Sequence, residues 1–115
     1  LTDDDTEKFL SELIREAVLE DVREELPHSI ACSIEEMYPD PDDEGRTVVH
    51  ATIYVERESQ KGIVIGKKGT RLRKVGQRAR QSISQVLGTR VYLDLHVKVL
   101  KDWQTDPKQL GKLGF

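Results

Sequence analysis

At 115 residues the chain suits one domain with a single modest core, and two domains would be cramped. It is 34% charged and 37% hydrophobic, polar but with enough apolar material to fold, and no apolar run reaches the length of a membrane span. The net charge of −3 counts against an overall basic, nucleic-acid-coating protein.

Residues 6–26 read as a helix. Asp3, Asp4 and Asp5 precede it, where carboxylates favour a helix start, and Phe9, Leu10, Leu13, Ile14, Ala17, Val18 and Val22 recur at helical spacing. Pro27 ends it. Ser29–Met37 alternates as a half-buried strand, with Ile30, Cys32 and Ile34 on one side and Ala31, Ser33 and Glu35 on the other. Tyr38–Gly45 is an acidic turn. A second strand over Thr47–Arg57 buries Val49, Ala51, Ile53 and Val55, and residues 59–65 form a short helix or turn closed by Gly66. A long helix covers 70–87 and stops at Gly88. The third strand, Arg90–Leu100, turns Val91, Leu93, Leu95, Val97 and Val99 inward and Tyr92, Asp94, His96 and Lys98 outward. A short helical tail is expected after Asp106-Pro107.

Charge is far from evenly spread along this order. Residues 57–90 contain ten Lys/Arg and one acid, Glu58, whereas the rest contains eight Lys/Arg and twenty Asp/Glu. Such an asymmetry draws an anion to one face and repels it elsewhere. Inside the basic segment, Gly66-Lys67-Lys68-Gly69 sits between the apolar turn Ile63-Val64-Ile65 and the long helix. Glycine lets a ligand backbone approach closely, and a helix start offers N–H donors and a positive dipole end. Phosphate is the natural guest. The spacing is too short for the phosphate loop of nucleotide hydrolases, and it is the glycine–two residues–glycine spacing that clamps a nucleic-acid backbone.

The long helix carries its basic residues along two borders. At about 100° per residue, Leu72, Val75, Ala79, Ile83, Val86 and Leu87 occupy one arc, the expected core face. Arg71, Lys74 and Arg78 flank it on one side, one turn beyond the loop, and are the expected phosphate contacts. Arg73 and Arg80 flank it on the other. Gly76 interrupts the helix and suggests that another backbone packs closely there. Ile63, Val64, Ile65 and Leu72 are ordinary core candidates that, beside such a loop, also qualify as an apolar floor for bases.

The element order around Gly66–Gly69 resembles a type II KH domain, an α+β fold (α-β-β-α-α-β) whose three-stranded sheet packs against helices on one face. Further segments extend the resemblance over nearly the whole chain: Glu24-Glu25-Leu26-Pro27-His28-Ser29, Tyr54–Gly66, Val91-Tyr92-Leu93, Val97-Lys98-Val99, Lys101-Asp102-Trp103 and Leu113-Gly114-Phe115. Together these are similar to the C-terminal domain of the Era GTPases. Two positions depart from the family pattern: Lys68, where glycine is commoner, and Phe115, where tyrosine is more usual.

The resemblance implies a single-stranded RNA-binding module acting at the 3′ end of small-subunit (16S) rRNA during maturation of the small ribosomal subunit. It implies a GTPase domain in the same full-length protein and peripheral association of that protein with the inner face of the cell membrane. Neither GxxxxGK[ST] nor Asn-Lys-x-Asp occurs in these residues, so no enzyme and no cofactor are expected of this chain. The first residue is not methionine, no signal peptide opens the chain, and a piece of a longer protein is expected. The single cysteine favours a reducing, cytoplasmic setting. The competing expectations are a KH domain of another ribosome-associated or transcription factor, and a protein-docking domain using the acidic first helix.

The remaining signals have plainer explanations. Asp42-Asp43-Glu44-Gly45 matches the Asp-x-x-Gly of GTPases, and Asp40, Asp42 and Glu44 imitate a calcium loop whose twelfth position would be Ala51, not an acid. Turn chemistry accounts for both. His28, His50 and His96 lack metal-ligand spacing, Cys32 reads as a core residue, and Trp103 reads as a lid over the core.

Overall fold

The computed structural model describes residues 4–22, 25–26 and 30–101. Helix α1 (Asp4–Val22) leads to strands β1 (Ala31–Pro39) and β2 (Arg46–Val55), a short helix α2 (Glu58–Ile65), a 3₁₀ turn (Lys67–Gly69), the long helix α3 (Thr70–Leu87) and strand β3 (Arg90–Val99). The sheet order is β1-β2-β3, with β1 antiparallel and β3 parallel to β2. A parallel neighbour needs a long crossover, and α2 with α3 supplies it. This is the α+β, type II KH arrangement expected above. The expected tail helix and Trp103 lie outside the described residues.

Strand β2 is the centre of the core. Its inward residues Val49, Ala51, Ile53 and Val55 are fully buried, under Leu10, Ile14, Val18 and Val22 of α1 and Val75, Ala79 and Ile83 of α3. That is a period of two meeting two periods of 3.6, and burial of these side chains contributes roughly 1.5–3 kcal/mol each for the larger ones. Two apolar residues fall off their expected faces. Phe9 lies to one side of the α1 stripe and is 52% exposed, and Val86, at the rim of the α3 arc, is 46% exposed.

Strand β1 corrects the simple alternation. The register against β2 shifts between Ile34 and Glu36, a β-bulge. Cys32 and Ile34 before it, and Met37 after it, therefore all pack on the core although 34 and 37 differ by an odd number. The strand continues through Tyr38 and Pro39, which pair with Val48 and Thr47. Ala31, expected outward, is fully buried. Burial pushes the Cys32 thiol far above its ordinary range, with the Glu12 and Glu35 carboxylates adding to the effect. It is a core residue rather than a reactive one.

Candidate nucleic-acid interface

The loop at the α2–α3 junction owes its shape to backbone conformations that its sequence selects. Gly66 has φ 76° and ψ 174°, and a Cβ there would sit 2.6 Å from Arg71 Cβ and 3.0 Å from Arg71 N. Only glycine fits. Lys68 (φ 56°, ψ 27°) and Gly69 (φ 76°, ψ 11°) are both left-handed, and nothing lies within 4 Å of the Cβ position at Gly69, so its face is open to a ligand. The Gly66 N–H donates to the Gly62 carbonyl at 2.9 Å and the Gly69 N–H to the Gly66 carbonyl at 3.1 Å. The Lys67 carbonyl accepts from the Thr70 N–H and, at 2.8 Å, from its hydroxyl. The donors at Gly69 and Thr70 are thus spent within the turn, contrary to a simple reading of an open helix start. The Lys67 and Lys68 N–H groups take no part in these bonds.

From this loop a groove of about 480 Å³ runs between α3 and β3. Leu72, Leu93 and Leu95 form its apolar floor, with Gly76 between them. Arg73, Gln77 and Arg80 form its rim, and Arg46 and Tyr92 close the end away from Gly69. The expected close backbone at Gly76 is instead the Leu95 side chain, 3.8 Å from the Cβ position. Glycine here keeps the floor low.

The basic residues of the other border have different duties. Arg71 Nη1 donates to the Ile63 carbonyl at 2.9 Å, tying α3 to the end of α2. Arg78 reaches across to α1, where Nη1 lies 3.1 Å from Glu20 Oε2 and Nη2 lies 3.3 Å from Asp21 Oδ1. Its guanidinium is taken up by α1. Lys74 lies with Asp21, Thr70 and Arg71 in a separate polar depression between α1 and α3. Val64 is fully buried and offers no surface, while Ile63 and Ile65 pack against the core and do not line the groove. Of the four apolar candidates, Leu72 alone lies in it. Among the described residues, Lys67, Lys68, Arg73 and Arg80 make no ion pair.

The groove's two rim arginines were the weaker candidates from sequence. Helical geometry placed both borders of α3 equally well. What separates them is that α1 covers one and β3 leaves the other open, a tertiary fact with no local signal.

Two further clusters were missed. On the outer face of the sheet, Asp94 Oδ2 lies 2.9 Å from His50 Nδ1 and 3.1 Å from His96 Nε2, and the Tyr38 hydroxyl lies 3.1 Å from His50 Nε2. These bonds, His50 first, hold the Asp94 carboxyl below its ordinary range. At the hairpin, Arg90 makes a two-pronged contact with Asp43 at 2.7 and 2.8 Å, and Arg46 Nε donates to Asp40 Oδ2 at 2.7 Å. Asp40 also caps the turn through the Asp42 N–H at 2.9 Å, the turn chemistry expected of this acidic run. Among the described residues no cluster suits a metal ion and no helix is long and apolar enough to cross a membrane.

Comparison with known proteins adds to this geometry. A family model described as a KH domain matches residues 25–104. The GTPase Era proteins of Mycobacterium avium (strain 104) and Mycolicibacterium smegmatis are each 62% identical over the whole chain, which spans 38% of their length. A crystal structure of an Aquifex aeolicus Era variant bound to GDP.AlF4- superposes with a TM-score of 0.88 at 42% identity, covering 92% of this chain and 35% of that one. A crystal structure of Era in complex with MgGDPNP and nucleotides 1506–1542 of 16S ribosomal RNA does so with a TM-score of 0.88 at 43% identity, covering 91% of this chain and 35% of that one. Fold, loop and relatives agree: the chain belongs to the KH domain family, and it is similar over its whole length to part of the Era proteins.

Proposed function

We propose that the chain binds single-stranded RNA, with consecutive phosphates over Gly66-Lys67-Lys68-Gly69 and bases turned into the groove between α3 and β3. The observation that carries this is the continuity of an open, doubly lysine-bearing turn with an apolar groove rimmed by Arg73 and Arg80, which make no ion pair among the described residues. Phosphates hold the strand in place and the groove reads it. Lys67 and Lys68 supply charge and their N–H groups, Arg73 and Arg80 meet the strand further along, and Leu72 lies beneath it. Arg71 and Arg78 act through the scaffold, and Lys74 is a flanking charge.

The natural ligand in this reading is the 3′ end of small-subunit rRNA, in keeping with the relative solved in complex with 16S rRNA nucleotides. The full-length protein would then join a GTPase domain to this reader, working on the small ribosomal subunit in the cytoplasm and at the membrane periphery. The residues here carry the RNA side of that division.

Replacing Lys67 and Lys68 together by Asp tests the reading. Both glycines stay, so the turn stays. Each lost phosphate contact should lower the slope of log affinity against log salt by about 0.7, with added repulsion weakening binding further. Stability should move by no more than roughly 0.5 kcal/mol. A salt titration with rRNA-end oligonucleotides, alongside thermal melts, reads both. If the folded variant binds as tightly as wild type with the same salt slope, the loop is not the RNA site and a protein-docking role takes its place.

A further inference from the structure

On the outer face of the sheet lies a further depression of about 240 Å³, lined by Tyr38, His50 and Tyr92 together with Arg46, Asp40 and Asp42. It shares Arg46 and Tyr92 with the groove, so the two surfaces meet at that pair. The pair is built rather than incidental. Arg46 is fixed by Asp40 and lies 3.5 Å from Asp43, and its guanidinium carbon lies over the Tyr92 ring, 5.8 Å from the centroid. Tyr92 is 50% exposed. The Tyr38 and His50 rings lie 5.8 Å apart, joined by their hydrogen bond, and Asp94 holds the imidazole from the other side at 2.9 Å.

The chemistry selects a base over a phosphate. Aromatic rings and guanidinium planes stack on bases. The charge of Arg46 is already matched by Asp40, so the pair offers no free cation to a phosphate, and the Asp42 carboxylate in the lining repels an anion. We infer that this depression is a subsite for one unpaired nucleobase, the nucleotide that leaves the groove over Arg46 and Tyr92 and turns onto the outer face of the sheet. The inference rests on the RNA reading of the groove and extends it by one position, read by stacking rather than by the loop.

A nested set of rRNA-end oligonucleotides, shortened one nucleotide at a time from each end, locates the subsite by fluorescence anisotropy. For wild type, one terminal step should cost about tenfold in affinity, and an abasic nucleotide at that step should cost the same. In Tyr92→Ala that step should shrink to less than about threefold, and Tyr92→Phe should restore it. Tyr38→Ala, checked by thermal melting, should shrink the same step. If Tyr92→Ala keeps the full step, or if the abasic nucleotide binds as well as the base, the subsite is overturned while the groove stands. If wild type binds no member of the set, the RNA reading of the groove falls, and the subsite with it.

Discussion

Lys68 holds a backbone conformation that costs an L-residue about 1–2 kcal/mol. The turn needs left-handed geometry at two successive residues; Gly69 supplies the second at no steric cost, whereas Lys68 adopts the first against its preference. Lysine keeps a cation at the loop's tip in exchange. Lys68→Gly should therefore stabilise the fold, by less than the full relief because glycine also loosens the unfolded chain by roughly 0.5–1 kcal/mol. The expected outcome is a melting temperature higher by up to about 4 °C, with weaker RNA binding and a smaller salt slope. A lower melting temperature would show that the Lys68 side chain contributes more to the fold than its exposed position suggests. The loop was legible in the sequence in part. Gly66 and Gly69 marked the turn by their spacing, and both hold positive φ, whereas the left-handed Lys68 between them carried no mark in the sequence.

At the scale of elements, legibility followed period and punctuation. The helix expected over 70–87 is α3, closed by Gly88 in the left-handed conformation, because hydrophobic period and C-terminal glycine agree. Strand β1 was less legible: the bulge at Glu35 shifts the phase of alternation, and nothing in Ser33-Ile34-Glu35-Glu36 marks it. The two borders of α3 were indistinguishable until α1 and β3 were placed beside them. They should separate experimentally. Arg78→Ala removes a bridge between α3 and α1 and should cost up to about 1 kcal/mol of stability with little change in affinity. Arg80→Ala removes a cation at the groove rim and should cost affinity and salt slope with little change in stability. Urea melts and binding titrations on both variants test the pair. The reverse pattern would move the strand to the α1 side of α3.

The polar cluster on the outer sheet face predicts an acid limb. The folded Asp94 carboxyl is held below the ordinary carboxylate range by its hydrogen bond to His50 and then by His96, so the folded state binds fewer protons than the unfolded state through that range. Its contribution is fully present above the unfolded pKa and is lost as pH falls through the folded one. Stability should decline below about pH 4, and Asp94→Asn should make the decline shallower by up to one proton's worth. Urea midpoints between pH 5 and pH 3 measure it. Equal declines in the two proteins would mean that the His50 and His96 contacts do not set the limb.

For the molecule as a whole, charge placement outweighs the charge total. Residues 57–90 carry the basic excess, and they build α2, the loop and α3, along one side of a body measuring 40 × 32 × 20 Å. The Debye length is about 10 Å at 0.1 M salt, so a strand approaching the groove feels the near face strongly and the acidic remainder weakly. Local pairing sharpens the contrast: Asp40 and Asp43 hold Arg46 and Arg90, while Glu20 and Asp21 hold Arg78, so several of the nearest carboxylates are already matched. The sign of the salt effect on association decides which description governs. A uniformly spread charge of −3 would repel RNA, and salt would speed association by screening that repulsion. Segregated charge attracts RNA to the groove, and salt should slow association instead, by about tenfold from low to physiological ionic strength. Stopped-flow association rates with a single-stranded RNA over that range give the sign without any assumption about the base register. A rate that rises with salt would show that the strand responds to the total charge, and that the basic face holds RNA without steering it.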